Sequence, residues 1–168
     1  MENSLVDQLQ NASGEALALL KRLCRQPSVA AQGIGIQEMA DLVESLLAGA
    51  GFETQQLRVE GAPPAVYGER AGTSPFTLLL YNHYDVQPAE PLELWESAPF
   101  EPTIRDQKLY ARGVSDNKGE IATRLAAIQA LLAGGGELPI GIRWIIEGEE
   151  EVGSPHFGAI AERYADLL

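Results

Sequence analysis

The chain has 168 residues, of which 45% are hydrophobic and 21% are charged, and its formal net charge at pH 7 is −12. This length and apolar content predict one globular domain with a sizeable core, and they exclude a disordered chain. The excess of acidic residues disfavours a nucleic acid or an anionic membrane surface as a partner, because both need clustered Lys and Arg.

A cytoplasmic location is the expectation from the cysteine content and the N-terminus. Cys24 is the only cysteine and cannot form an internal disulfide, so a buried, reduced thiol within a helix is predicted. The first residues include Glu2 where a signal peptide would carry basic residues, and no apolar window approaches the ~18 residues of a membrane span.

Two amphipathic helices are predicted at the start of the chain. The first has apolar residues at a loose helical period from Leu5 to Leu23, a weak point at 11–14, and an end before Pro27. The second, from Ile36 to Leu47, follows the helical period closely and has two glycines behind it as candidates for a left-handed C-cap.

Strands then alternate with helices, which predicts a three-layer α/β domain with a mixed, largely parallel central sheet. The run from Thr77 to Tyr81 carries no charge and is expected to be a strand buried on both faces. Ser154 is a candidate N-cap for the last helix. The further predicted elements are strands over 52–59 and 65–69, a proline-rich loop over 86–102, a brief strand at 109–110, a helix over 118–132, a strand over 140–146 and a closing helix over 154–168.

Polar clusters follow three of the strand-like runs. His83 and Asp85 come directly after the strand from Thr77, Asp116 lies in a loop before a helix, and an acidic run at 147–151 follows the strand over 140–146. Open α/β sheets place their ligands beyond the ends of their strands, so one imidazole and several carboxylates at such ends form a candidate metal site. Taken alone, His83 could be a hydrogen-bonded structural residue and the acidic run a solvated loop.

Three segments resemble the signatures of a known enzyme family. They are HYDVQP at 83–88, LYARGVSDNKG at 109–119 and EGEEEVGS at 147–154. In this order they are similar to the co-catalytic zinc exopeptidases, a family that includes carnosinase, glutamate carboxypeptidase, aminoacylase and acetylornithine deacetylase. The stretch WESAPFEPTIR at 95–105 further resembles the dipeptidase and carnosinase branch.

The resemblance implies a role for five residues. His83 would bind one zinc ion, Asp116 would bridge both zinc ions, and Glu151 would bind the other. Glu150 would be the general base, and Asp85 would orient His83. The implied reaction is hydrolysis of a peptide or amide bond in a small peptide or acyl-amino acid, as in dipeptidases and carboxypeptidases.

Each implied role has a physical reason. Imidazole suits zinc, and a carboxylate bonded to its second nitrogen fixes the tautomer and raises its basicity, which accounts for Asp85 beside His83. The two oxygens of Asp116 can hold two metal ions roughly 3.5–4 Å apart. Sites of mixed histidine and carboxylate ligands also accept Co²⁺ or Mn²⁺.

Other polar residues near the motifs receive a structural interpretation. Glu147 and Glu149 are interpreted as structural or solvated, since adjacent like charges are costly unless they are relieved. His156 lies outside the family motif, and a surface or capping role is preferred over a metal ligand. Lys118 and Asn117 are expected to shape the start of the helix beneath Asp116 without contacting metal.

The resemblance covers only about the first two-fifths of the usual chain of this family. Residues 1–168 would be the N-terminal part of the catalytic domain, without the dimerisation domain or the C-terminal part of the catalytic domain. Two zinc ligands would then lie beyond Leu168, so weak or partial metal occupancy and an inactive fragment are expected.

Two hypotheses follow for the chain. It is either part of a zinc-dependent peptidase, or a non-catalytic binding or assembly module of the same fold. Uncovered sheet edges also predict self-association.

Overall fold

A computed structural model describes residues 5–133 and 135–168. Within these residues, four α-helices and six strands are joined by turns and short 3₁₀ segments. In chain order these elements are α1 (Leu5–Arg25), α2 (Ile36–Gly49), β1 (Glu53–Leu57), β2 (Ala65–Arg70), β3 (Thr77–His83), β4 (Thr103–Arg105), β5 (Lys108–Tyr110), α3 (Lys118–Leu132), β6 (Gly141–Glu147) and α4 (Phe157–Arg163). None of the helices in these residues is long and apolar enough to cross a membrane.

The main sheet has four strands in the order β1-β2-β6-β3, and β4 and β5 form a separate hairpin. The pairs β1–β2 and β2–β6 are antiparallel, whereas β3 and β6 are parallel. The predicted mixed sheet is therefore confirmed, but the prediction that it is largely parallel is wrong for the described strands. The crossover through α3 makes one parallel pair, while β1 and β2 form an antiparallel hairpin with a short connection.

Helices cover both faces of the main sheet, as the three-layer prediction requires. The larger core cluster joins Leu23 of α1, Val43 of α2 and Ile121 of α3 to Trp144 of β6. On the other face, Ile160 of α4 packs with residues of β1, β2 and β6. Consecutive side chains of a strand point to opposite faces, so β6 supplies both clusters and is the best-buried strand.

β3 was predicted to be buried on both faces, and this prediction is wrong. Among the described strands it pairs only with β6, and Leu78, Leu79 and Tyr81 are 46%, 47% and 42% exposed. An edge strand has a neighbour on one side only, so its apolar run lacks the cover that a central strand receives. Burial returns at its last two residues, Asn82 and His83, where the candidate site begins.

The helix ends agree with the sequence except in the last segment. α1 continues through residues 11–14 without a break, and α3 has the predicted bounds. The closing helix is shorter than predicted and spans Phe157–Arg163. Ser154 is not its N-cap, because Ser154 has φ +50° and its hydroxyl donates to Glu147 instead.

Candidate metal centre

The parallel pairing of β3 and β6 brings two of the sequence motifs together. His83 at the end of β3 is the register partner of Glu147 at the end of β6. Just beyond, the backbone N–H of Tyr84 donates to the Glu147 carbonyl at 2.8 Å. Parallel strands end at the same edge of a sheet, so the residues after His83 and after Glu147 leave the sheet side by side. Asp116 joins them from the loop before α3.

His83 lies at the centre of this arrangement. Its ring is almost fully buried, with Nδ1 3.2 Å from the Asp85 backbone carbonyl and 3.3 Å from Asp85 Oδ1. The opposite nitrogen, Nε2, lies 3.0 Å from Asp116 Oδ1 and 3.6 Å from Glu150 Oε2. Burial lowers the pKa of His83, but the bond and charge of Asp85, with Glu150 and Asp116, outweigh burial and raise it to about 9.

Three side chains converge in the manner of metal ligands. One ligand atom each from His83, Asp116 and Glu151 lies within 4.8 Å of the other two. At metal–ligand bonds of about 2.1 Å, ligands of one ion lie roughly 3–3.5 Å apart, so small side-chain rotations would bring these atoms to coordination distance. One imidazole and two carboxylates also match the donors that Zn²⁺, Co²⁺ and Mn²⁺ accept. The residues present therefore fit a divalent metal ion.

Asp85 does more than the sequence predicts for it. Its side chain is fully buried, and besides lying beside His83 it accepts two backbone bonds from the turn after β6. Oδ1 accepts the N–H of Glu150 at 3.1 Å, and Oδ2 accepts the N–H of Glu151 at 3.0 Å. One carboxylate thus fixes the imidazole and both candidate glutamates relative to each other.

Glu150 and Glu151 are the acidic side chains of the turn that remain partly accessible. Glu150 has 43% of its side chain exposed and approaches the Nε2 side of His83. Glu151 is half-buried, and its Oε2 accepts a bond from Gln87 Nε2 at 2.7 Å. Sequence reasoning did not assign a role to Gln87, although its place two residues after Asp85 in the HYDVQP segment was a usable signal.

The other two acids of the run, Glu147 and Glu149, are buried, so the solvated alternative is wrong for both. Glu147 Oε1 accepts the hydroxyls of Tyr81 at 2.5 Å and Ser154 at 2.8 Å, and burial raises the pKa of its carboxyl group. Glu149 accepts the backbone N–H of His156 at 2.9 Å and lies 3.0 Å from its Nδ1. These contacts support the structural interpretation, and they tie the turn to the chain on both sides.

The residues that follow Asp116 contact other segments of the chain. Lys118 is fully buried, and its Nζ donates to the Gln26 carbonyl at 2.8 Å. Burial lowers the pKa of Lys118 to about 7. The peptide bond between Asp116 and Asn117 is cis, and the Asn117 side-chain oxygen accepts a bond from Asn82. Asp116 itself is mostly exposed, with 73% of its side chain accessible.

Comparisons with known proteins agree with the motifs. The chain is 39% identical to a succinyl-diaminopimelate desuccinylase of Ralstonia pickettii over 159 residues, which cover 90% of this chain and 39% of that protein. It is 40% identical to the human Beta-Ala-His dipeptidase over 106 residues, 62% of this chain and 21% of the dipeptidase. The chain thus spans at most about two-fifths of these relatives.

The fold is also that of a solved relative. An M20 family metallo-carboxypeptidase from Sulfolobus solfataricus superposes with a TM-score of 0.87 and 39% identity, over 92% of this chain and 35% of that one. The sequence pattern of Peptidase family M20/M25/M40 matches residues 79–166, which include the candidate site. The chain belongs to Peptidase family M20/M25/M40.

Proposed function

We propose that this chain is the N-terminal part of the catalytic domain of a zinc-dependent hydrolase that cleaves a peptide or amide bond in a small peptide or acyl-amino acid. The observation that carries the proposal is the convergence of His83, Asp116 and Glu151 at the edge of the sheet. The names of the relatives, a desuccinylase, a dipeptidase and a carboxypeptidase, support an amide or peptide substrate.

In this proposal His83, Asp116 and Glu151 hold the metal. His83 contributes Nε2, because its Nδ1 faces Asp85. Asp116 is suited to a shared position, since its carboxylate lies beside the imidazole and within reach of Glu151. Catalytic zinc ions usually have three protein ligands each, so three residues suffice for one ion and fall short for two. We therefore expect this chain alone to bind metal more weakly than a complete two-metal site.

Glu150 is the proposed general base. Its carboxylate is partly exposed and lies on the same side of His83 as Asp116, so it can accept a proton from an attacking water. It would then return that proton to the leaving amine, a role typically worth about 10²–10⁴-fold in rate. Bound metal ions would polarise the scissile carbonyl and lower the pKa of that water.

Asp85 is the proposed positioning residue for both halves of this chemistry. Its bonds to the N–H groups of Glu150 and Glu151 set the distance between base and ligand, while its contact with His83 sets the orientation of the ring. A buried carboxylate with three such contacts cannot rotate freely. The proposed general base and two of the proposed ligands, His83 and Glu151, are thereby held relative to one another.

Metal stoichiometry and hydrolysis, measured together, test the proposal. We expect the chain to bind Zn²⁺ or Co²⁺ in dialysis with elemental analysis, and Glu151→Gln to weaken this binding strongly. The matched control is Glu53→Gln, which alters an exposed carboxylate of β1 and should leave binding unchanged. A longer protein that contains this chain should bind two ions and hydrolyse dipeptides or succinylated amino acids. If neither form binds metal and neither form hydrolyses these substrates, the non-catalytic module is favoured.

Self-association is a further part of the proposal. The edge strand β3 exposes Leu78, Leu79 and Tyr81, and Phe76 just before it is 74% exposed. Unpaired strand edges with apolar side chains tend to pair with other chains. Light scattering should therefore show oligomers at high protein concentration, and a monodisperse monomer would contradict this expectation.

A further inference from the structure

We infer that Gln87 is a positioning residue that fixes the carboxylate of Glu151 for metal binding. This inference rests on the proposed function, because it takes Glu151 to be a metal ligand. It adds a residue from the loop after β3 that acts on the turn after β6.

The contact between the two residues is direct. Gln87 Nε2 donates to Glu151 Oε2 at 2.7 Å and lies 3.1 Å from the Glu151 backbone carbonyl. A carboxylate held through one oxygen loses the freedom to turn about its last side-chain bond. Its remaining lone pairs then face a fixed direction, so less conformational entropy is lost when a metal ion binds.

The loop that carries Gln87 is fixed on both sides. Before it, Val86 is fully buried and its N–H donates to the Ser28 carbonyl at 2.8 Å. After it, the Pro88 carbonyl accepts a bond from Arg112 at 2.8 Å. The amide of Gln87 therefore extends from an anchored backbone, although the side chain itself is exposed.

Alternate residues of one segment serve three parts of the site. His83, Asp85 and Gln87 follow this spacing and contact, respectively, Asp116, the backbone of the turn at Glu150, and the side chain of Glu151. Asp85 fixes the backbone of that turn, and Gln87 fixes the side chain that the turn presents.

Gln87 donates to both the backbone and the side chain of Glu151, so a test must separate the two bonds. Gln87→Met keeps the length of the side chain and removes its donor. Glu151→Asp shortens the carboxylate out of reach of Gln87 and leaves the backbone carbonyl in place. Combining them gives a double-mutant cycle that isolates the bond to the carboxylate. Gln55→Met, an exposed residue of β1 at the far edge of the sheet, is the matched control.

The experiment measures Co²⁺ binding to the chain by calorimetry, together with the visible absorption of the bound ion. Residues that hold a metal ligand typically contribute 10–100-fold to affinity, and for an exposed side chain we expect Gln87→Met to weaken binding about tenfold. The absorption bands at saturation should shift as well. In the Glu151→Asp background the same change should alter affinity less than about twofold, and Gln55→Met should have no effect.

Other results would overturn the inference. Unchanged affinity and spectrum in Gln87→Met would show that the carboxylate needs no support from Gln87. Equal weakening in both backgrounds would show that Gln87 acts through the backbone of the turn. Loss of binding in Glu151→Gln with either of these results leaves the proposed function intact. Undiminished binding in Glu151→Gln would refute the ligand assignment, and the inference with it.

Discussion

Replacing Asp85 by Asn should destabilise the chain markedly, because the two side-chain oxygens of Asp85 accept different backbone N–H groups. Asn keeps one acceptor and turns its NH₂ group toward the N–H of either Glu150 or Glu151. A hydrogen bond to a charged group contributes about 1.5–3 kcal/mol, and an unpaired buried donor adds a penalty. We therefore expect a loss of about 2–4 kcal/mol, a large part of the ~5–15 kcal/mol that stabilises a typical domain.

Equilibrium unfolding in urea, followed by circular dichroism, measures this loss. With a slope of about 2 kcal/mol per molar urea, the midpoint should fall by roughly 1–2 M. The control is Asp41→Asn, which changes an exposed carboxylate that accepts bonds from Gln37 and Gln56, both at 2.7 Å. Its midpoint should move far less, since solvent can replace those bonds. If Asp85→Asn and Asp41→Asn unfold at the same urea concentration, Asp85 does not stabilise the turn as reasoned.

The remaining predictions concern the support of the site. Lys118 has a pKa of about 7 in the fold against 10.5 for an ordinary lysine, so between these values its own contribution to stability should rise with pH, by at most about 1.4 kcal/mol per pH unit. His83, with its pKa raised to about 9, contributes the opposite slope in both proteins. Lys118→Met should therefore lower the slope of stability against pH between 7.5 and 9 in urea unfolding, and parallel curves for the two proteins would contradict this prediction. Gly148→Ala would place a Cβ 2.2 Å from the hydroxyl of buried Tyr84. The overpacking should destabilise the fold by about 1–3 kcal/mol and so lower the melting temperature. The control is Gly14→Ala in α1, whose added Cβ meets no atom within 4 Å and which should raise the melting temperature slightly. The steric argument is refuted if both variants melt at a lower temperature than the parent protein, or if neither does.

The sequence pattern predicted an element correctly where the residues of that element alone determine its structure. α3 begins at Lys118 and ends at Leu132 as predicted, because its apolar spacing and the glycines behind it define a helix without reference to the rest of the chain. The placement of His83 and Asp85 at the end of β3 follows from the change from apolar to polar residues. The motif order then led to the family, which the comparisons confirm.

Features that depend on distant partners could not be read from the sequence. β3 has the composition of a central strand, but its exposure depends on which strands lie beside it, and β6 is its only described neighbour. Glu147 and Glu149 look like a solvated acidic run until Tyr81, Ser154 and His156 are placed against them. Likewise, the left-handed backbone of Ser154 follows from the turn that the buried acids hold, and a local cap rule cannot foresee it.

The central claim is that His83, Asp116 and Glu151 form one metal site, with Asp116 placed between the other two ligands, and anomalous X-ray scattering tests it most directly. Crystals grown with Zn²⁺ should give an anomalous difference peak at the zinc edge between these three side chains, and the peak should disappear in crystals of Glu151→Gln. A peak elsewhere on the chain, or ordered side chains with no peak between them, would contradict the account.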